Sequence, residues 1–442
     1  MTLKTRRILF YALTVIFIIF GTVVVFYSNG WRLDLETLTI DKLGGLFFEI
    51  TPRDATITID KNQFEFKSGF LRSGTLIANL FPKNYTVKVT KSGYQSWIKE
   101  LEVKPSLVTE VPPVILLPDK QDLGEVLTDN INNFWIGPKH YIAGKENRLE
   151  FKLQKLLGNN VVNWSESGDS VITKNNSSFF LTNLGNQGSA LNLSLSFGNL
   201  WQQKFPDQKL EMIKTVLFYP AAENKFIVPT GNGLYLLDTE KFSLSRLHKG
   251  PIGAFKVKNN EIFFYAEGKV SIYNLSLDTE DLLINQEFKP AKDIQVSLSG
   301  YQVSILGEDG KLYIFDRKSL TGNLIAENIA SMLFSPDGKK IAFTNNRKEL
   351  TVYHLSDPSK DNKKNEEPAI FNIGSTEEIS WHKNSAYLFI KYPTSLYLLE
   401  ANNLPPINFQ VIDLENKKFS YQPEENSIYL LKNSGLYRLS LE

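Results

Sequence analysis

The chain contains no cysteine. Disulfides, thiolate-held zinc, iron–sulfur clusters and cysteine nucleophiles are therefore excluded together. The fold must stand on its apolar core alone, which 442 residues can supply. Histidine is scarce. His140, His248, His354 and His382 are scattered, and none has a His-x-x-x-His or His-Glu neighbour that would suit zinc. A charge excess is missing too: 49 Lys and Arg face 48 Asp and Glu, a net charge of +1. That gives no general electrostatic reason for nucleic acid as a partner. No Gly-x-Ser-x-Gly elbow, Walker loop or dinucleotide fingerprint occurs. Asp357 and Asp361 lack the ligand spacing of a calcium loop. No residue is nominated as catalytic, cofactor-binding or metal-binding, and no cofactor is expected. Paired carboxylates brought together by the fold stay open, because spatial pairs are invisible in sequence.

One long hydrophobic run is present. Residues 8–27 carry no charge. About 20 residues at a rise of about 1.5 Å span the hydrocarbon core of a bilayer. Lys4, Arg6 and Arg7 precede the run, which predicts a cytoplasmic N-terminus over residues 1–7. Tyr27 and Trp31 suit the far interface, and Val23-Val24-Val25-Phe26-Tyr27 offers no small-x-small cleavage site. The expectation is an uncleaved single-pass anchor in the cell membrane, in contact with lipid over 8–27, with the bulk of the chain outside the cytoplasm. Residues 28–45 read as an extended stalk, with Trp31 to Asp41 as a strand or part of that stalk. In it Leu33 and Leu35 alternate with Arg32, Asp34 and Glu36 until Gly44-Gly45 breaks the pattern.

Aromatics make up 12% of the chain, and the Val, Ile and Thr around them lean toward strands. Residues 46–118 show short alternations separated by turns. They include Ile57-Thr58-Ile59-Asp60 after Pro52, and Tyr85-Thr86-Val87-Lys88-Val89 after Pro82. Pro52-x-x-Ala55, Ile57-x-Ile59-Asp60, Gly74-Thr75, Leu80-x-Pro82, Tyr85-x-Val87 and Gly93-Tyr94 together resemble the PEGA domain. The pattern departs from that family at Arg53-Asp54 and at Lys61-Asn62. The resemblance implies a small β-sandwich-like module of bacterial surface proteins that binds envelope components and has no active site. Residues 119–130 read as a linker.

From residue 131 to 442 one pattern recurs at the period of a four-stranded propeller blade. A Leu-Tyr strand appears as Leu234-Tyr235, Ile272-Tyr273, Leu312-Tyr313, Val352-Tyr353, Leu396-Tyr397 and Leu436-Tyr437. Divergent copies sit at Phe179 and Leu149. Phe334-Ser335-Pro336-Asp337-Gly338-Lys339-Lys340-Ile341 reads as a strand, a hairpin turn and a second strand. It resembles the WD40-like repeat of TolB-type propellers, with weaker copies at Trp164-Ser165 and Trp381-His382. Seven or eight blades are expected, the last built with strands from both ends of the domain. Residues 185–211 are expected as an extra strand pair or a protruding loop, and 357–367 as a solvated charged loop.

The fold class expected is thus mainly β: an N-terminal transmembrane helix, a small PEGA-like β-sandwich and a C-terminal seven- or eight-bladed β-propeller. The function expected is that of a non-catalytic, membrane-anchored envelope protein whose β-domains bind a protein or glycan, or act as a scaffold. The alternatives are a propeller hydrolase or lyase with its site at the channel mouth, and a component of a secretion or assembly complex. A channel mouth rich in His, Asp, Glu and Arg would favour the enzyme.

Overall fold

The computed structural model describes residues 3–34, 39–65, 74–146, 148–185, 190–220, 222–284, 289–297, 299–317, 321–355, 368–374 and 376–441. The expected loop 357–367 lies outside them. The chain divides into two compact units, Met1–Lys120 with Leu404–Gln410, and Gln121–Asn403 with Val411–Leu441.

The first unit opens with α1, Leu3–Ser28, a helix without a single buried residue. It contains the whole apolar run and extends it backward through Lys4, Arg6 and Arg7. Thr14 Oγ1 donates to Phe10 O at 2.9 Å and Thr22 Oγ1 to Ile18 O at 2.8 Å. Both hydroxyls are thus satisfied inside the helix, as a lipid environment demands. By length and composition α1 can cross a membrane as an anchor, and a signal sequence meets the same criteria.

Within the expected strand or stalk, Trp31–Leu33 pairs antiparallel with Ile40–Lys42, and Gly44-Gly45 opens a strand, Gly44–Phe48. The glycines serve close approach: a Cβ on Gly44 would sit 2.3 Å from Lys104 O, and one on Gly45 2.9 Å from Ile77 O.

Beyond it the unit holds a three-stranded sheet (Val108–Glu110, Gly44–Phe48, Thr75–Leu80) and a four-stranded sheet (Asn62–Glu65, Thr56–Ile59, Asn84–Thr90, Trp97–Glu102). The alternating residues of the sequence supply one core, with Leu46, Phe48, Ile57, Val87, Val89 and Trp97 fully buried. Trp97–Glu102 is an edge strand, and edges must be covered. Residues Leu404–Gln410 do so. Glu100 N donates to Pro405 O at 2.9 Å, Asn408 Nδ2 to Ile98 O at 3.0 Å, and the buried Lys99 ammonium to Leu404 O at 2.7 Å. Leu404–Gln410, within the region 131–442, thus group with the first unit.

The second unit contains eight four-stranded antiparallel sheets in succession. In the first seven, the four strands follow each other in sequence order, from Asn133–Ile136 in the first sheet to Phe409–Asp413 in the seventh. The eighth takes Lys418–Gln422, Ser427–Lys432 and Gly435–Ser440 from the C-terminal end. Its outer strand, Gly124–Leu127, comes from the N-terminal end. This is β-propeller topology, closed by strands from both ends. The expected linker 119–130 thus contains the closing strand, too short and irregular to announce itself; its register shifts after Glu125.

The cores lie between consecutive sheets. Leu312 and Ile314 pack with Ile329, Met332 and Ile341 of the sixth sheet. Phe315, on the other face of the same strand, packs with Phe263 and Val270 of the fourth. Period-two alternation with both faces apolar therefore means a neighbour on each side. At the ring's seam, Phe134 of the first sheet meets Tyr429, Leu431 and Leu436 of the eighth.

The polar stretch 185–211 forms neither a strand pair nor a simple loop. After a short strand, Ala190–Asn192, it folds as α2, Leu193–Lys204, with Asn192 as N-cap accepting from Leu195 N at 3.0 Å. Leu193, Phe197 and Trp201, at i, i+4 and i+8, are its buried face.

Candidate functional site

Two sets of side chains organise the propeller's ends. The first is the hairpin joining strands one and two of each sheet. Ser335 N donates to Lys340 O, Gly338 N to Ser335 O and Lys340 N to Ser335 Oγ, each at 2.9 Å. The same pattern recurs in Ser165 to Ser170 and in Ser297 to Gln302. In the seventh sheet His382 and Ser385 repeat the two backbone bonds. The fourth residue of each turn is left-handed: Gly168 at φ 75, Gly300 at 72, Gly338 at 69 and Ser385 at 58. Asp337 is a turn acceptor, taking Lys339 N at 3.0 Å and the Ser335 hydroxyl at 2.5 Å.

These hairpins are laced to their neighbours. Asp337 N donates to Ser385 Oγ at 3.0 Å and Lys340 Nζ to Ser385 O at 2.9 Å. His382 Nε2 donates to Asn426 Oδ1 at 2.9 Å, and Tyr421 donates to the same oxygen. Glu223 of the third sheet receives the hydroxyls of Ser167 and Ser170 of the second. Gln422 Nε2 donates to Gly137 O at 3.2 Å across the seam. Burial holds the His382 imidazole below its ordinary pKa, and Asn384 N donates to Nδ1, which fixes the neutral tautomer. Burial also pushes the Tyr421 phenol up to about 12. This rim is a hydrogen-bonded brace.

The four histidines do not converge. His382 serves the brace, His248 pairs with Glu280 at 2.9 Å, His140 stacks on Phe151, and His354 ends a strand of the sixth sheet. Among the described residues, no group of three or more His, Asp or Glu is placed to hold a metal ion.

The second set lies at the opposite rim, where the innermost strands begin. Between the sixth and seventh sheets is a recess of about 250 Å³. Its floor is apolar, formed by Met332, Leu333, Phe343 and Ile379; its polar lining is Ser331, Thr344, Glu377 and Glu378. The Ser331 and Thr344 hydroxyls bond to each other at 2.7 Å. Two lysines stand nearby, and both make hydrogen bonds. Lys391, almost fully buried, donates to Tyr392 O, to Pro393 O at 3.0 Å, and to Glu377 at 3.5 Å. Lys418, on the eighth sheet, donates to Asn133 Oδ1 and Phe134 O, both at 2.7 Å. Among the described residues no hydrogen bond reaches the Glu378 carboxylate. Glu378 is open to water yet walled in, and this desolvation raises its carboxyl pKa against the fields of Lys418 and Lys391. Desolvation likewise lowers the Lys418 ammonium.

None of these residues belongs to a local motif. Glu378 and Lys418 each open the first strand of a sheet, and the strand register makes Ser331 the equivalent residue of the sixth sheet. A charge at that place was the one available signal. The cluster holds Glu, Lys, Ser and Asn, without His or Arg.

No family model matches the chain. The Tricorn protease homolog of Saccharolobus solfataricus is 25% identical over 231 residues, 47% of this chain and 21% of that protein. The chain therefore matches about a fifth of that relative's length. Two solved structures are similar at a TM-score of 0.42. One is a chain of the crystal structure of a mitotic checkpoint complex, with 12% identity over 64% of this chain and 88% of that one. The other is the β-propeller domain of Myceliophteria thermophila Cps50 (Swd1), with 11% identity over 73% and 99%.

Proposed function

We propose that this chain is a non-catalytic, membrane-anchored binding scaffold of the bacterial envelope. In this reading α1 crosses the bilayer with its N-terminus in the cytoplasm. The first unit is a PEGA-like module, and the eight sheets are the blades of a propeller that engages a protein partner. The observation that carries the reading is the pairing of a wholly exposed apolar helix with a braced β-ring. Exposing that much hydrocarbon to water is unfavourable at about 25 cal/mol per Å², so the helix calls for lipid. The lacing of the hairpins supports a rigid display surface. The recess offers no nucleophile–base pair of the kind acyl transfer needs. The protease named among the similar proteins is matched over too little of its length to bring proteolysis here.

The absence of native cysteine makes the test clean. Single cysteines at Thr5 and Glu424 are exposed to a membrane-impermeant maleimide on intact cells. Labelling is expected at Glu424→Cys and not at Thr5→Cys. The reverse pattern, or both sites protected, would sink the topology. Photocrosslinking from the hairpin rim of intact cells is expected to trap a discrete protein; hydrolysis of envelope substrates by the purified chain would overturn the non-catalytic assignment.

A further inference from the structure

We propose that the recess between the sixth and seventh sheets is a binding site for a primary ammonium carried on an aliphatic stem. The inference rests on the scaffold reading and names a ligand chemistry within it. The lining sets the requirements. Carboxylates accept hydrogen bonds and cannot donate while ionised, and the Ser331 and Thr344 hydroxyls already share one bond. A ligand must therefore bring donors. The floor of Met332, Leu333 and Ile379 asks for hydrocarbon directly beside them. An alkylammonium supplies three N–H donors at the end of a stem of that kind.

The four charges around the recess balance, so the bonding and not the net charge points to a cation. Around the recess stand Glu377, Glu378, Lys391 and Lys418. Lys391 donates to Glu377 and to two carbonyls, and Lys418 is held by Asn133 and Phe134 of the first sheet. Glu378 alone of the four has no bonded partner among the described residues, and it lines the recess beside Met332, Leu333 and Ile379. A neutral polyol could donate to the same carboxylate, but it would bring no charge to it. Two sources share the ammonium chemistry: a lysine side chain of a partner protein, and a free alkylamine.

The test uses the full chain in lipid nanodiscs, titrated calorimetrically with n-butylammonium, Nα-acetyl-lysine N-methylamide, 1-butanol and methyl glucoside. Binding of the two ammonium probes is expected, and 1-butanol should bind at least tenfold more weakly. Glu378→Gln should weaken the ammonium probes at least tenfold with the melting temperature held, and Ser331→Ala should weaken them less. Lowering the pH through the raised Glu378 pKa should weaken them too. Tighter binding of the lysine amide than of butylammonium assigns the site to a protein side chain; the converse assigns it to free amines. Equal binding of 1-butanol, preference for methyl glucoside, no binding by about 10 mM, or an unchanged Glu378→Gln variant each overturns the proposal. If the rim crosslinks persist in Glu378→Gln while the ammonium probes fail to bind, the scaffold reading stands and the recess assignment falls.

Discussion

Replacing Gly338 by valine tests whether the hairpins brace the ring. Gly338 sits at φ 69, a region in which an L side chain with a branched Cβ meets its own backbone. The left-handed conformation alone costs about 1–2 kcal/mol for a residue with a Cβ. Relaxing it would disturb Gly338 N to Ser335 O at 2.9 Å and Asp337 N to Ser385 Oγ at 3.0 Å. Each such bond has a net worth of about 1 kcal/mol. The expected loss is therefore about 1–3 kcal/mol, a fall of several degrees in the melting temperature. The fold supplies its own control. Ser385, at the same place in the seventh sheet, adopts φ 58 without glycine. Gly338→Ser should therefore cost less than Gly338→Val, and Gly338→Asn least, because asparagine tolerates this region. Differential scanning fluorimetry of the three variants orders them. Equal melting of Gly338→Val and the parent would refute both the turn assignment and the transmission from sheet to sheet. Asp337→Asn should melt close to the parent, since the turn uses a side-chain acceptor that asparagine retains.

Four further outcomes are expected. Trp201→Ala removes the buried end of α2 against Phe197 and Tyr235, and should cost about 3–5 kcal/mol in denaturant unfolding. Lys418→Met breaks the bonds to Asn133 and Phe134 across the seam and should lower the melting temperature, whereas Lys417→Met, with no such bond to the first sheet, should not. His382 has its pKa lowered by burial, so the unfolded chain binds the proton more readily. Its contribution to stability is therefore present above pH 6.5 and is lost as pH falls below that value; His382→Gln should flatten this part of the stability profile. Deleting residues 1–29 should move the chain from the detergent phase to the aqueous phase in a partition assay. A chain that stays with detergent would show that α1 is not what holds it in lipid.

What the sequence disclosed and what it hid divide along the range of the interactions. Local regularities were legible. The charge-free run became α1, Ser335-Pro336-Asp337-Gly338 became a hairpin with a left-handed glycine, and Leu312 to Phe315 alternated between two cores because each strand lies between two sheets. Misreadings arose where a pattern had a second local explanation. Trp31 to Leu33 read equally as a free strand and as part of a stalk, and the pairing with Ile40–Lys42 is invisible in local sequence. Residues 185–211 looked like a loop because Asn, Ser and Gly dominate, yet three apolar residues four apart suffice for a buried helical face. The closing strand Gly124–Leu127 carries no alternation of its own and exists because Gly435–Ser440 offers an unpaired edge. The recess lies furthest beyond sequence. Ser331, Glu378 and Lys418 are separated by 47 and then 40 residues, one repeat of the blade at each step. Chemistry that no motif holds can thus be assembled by period alone. In a repeat protein, a polar or charged residue recurring at one fixed place in successive repeats is therefore the sequence feature to follow.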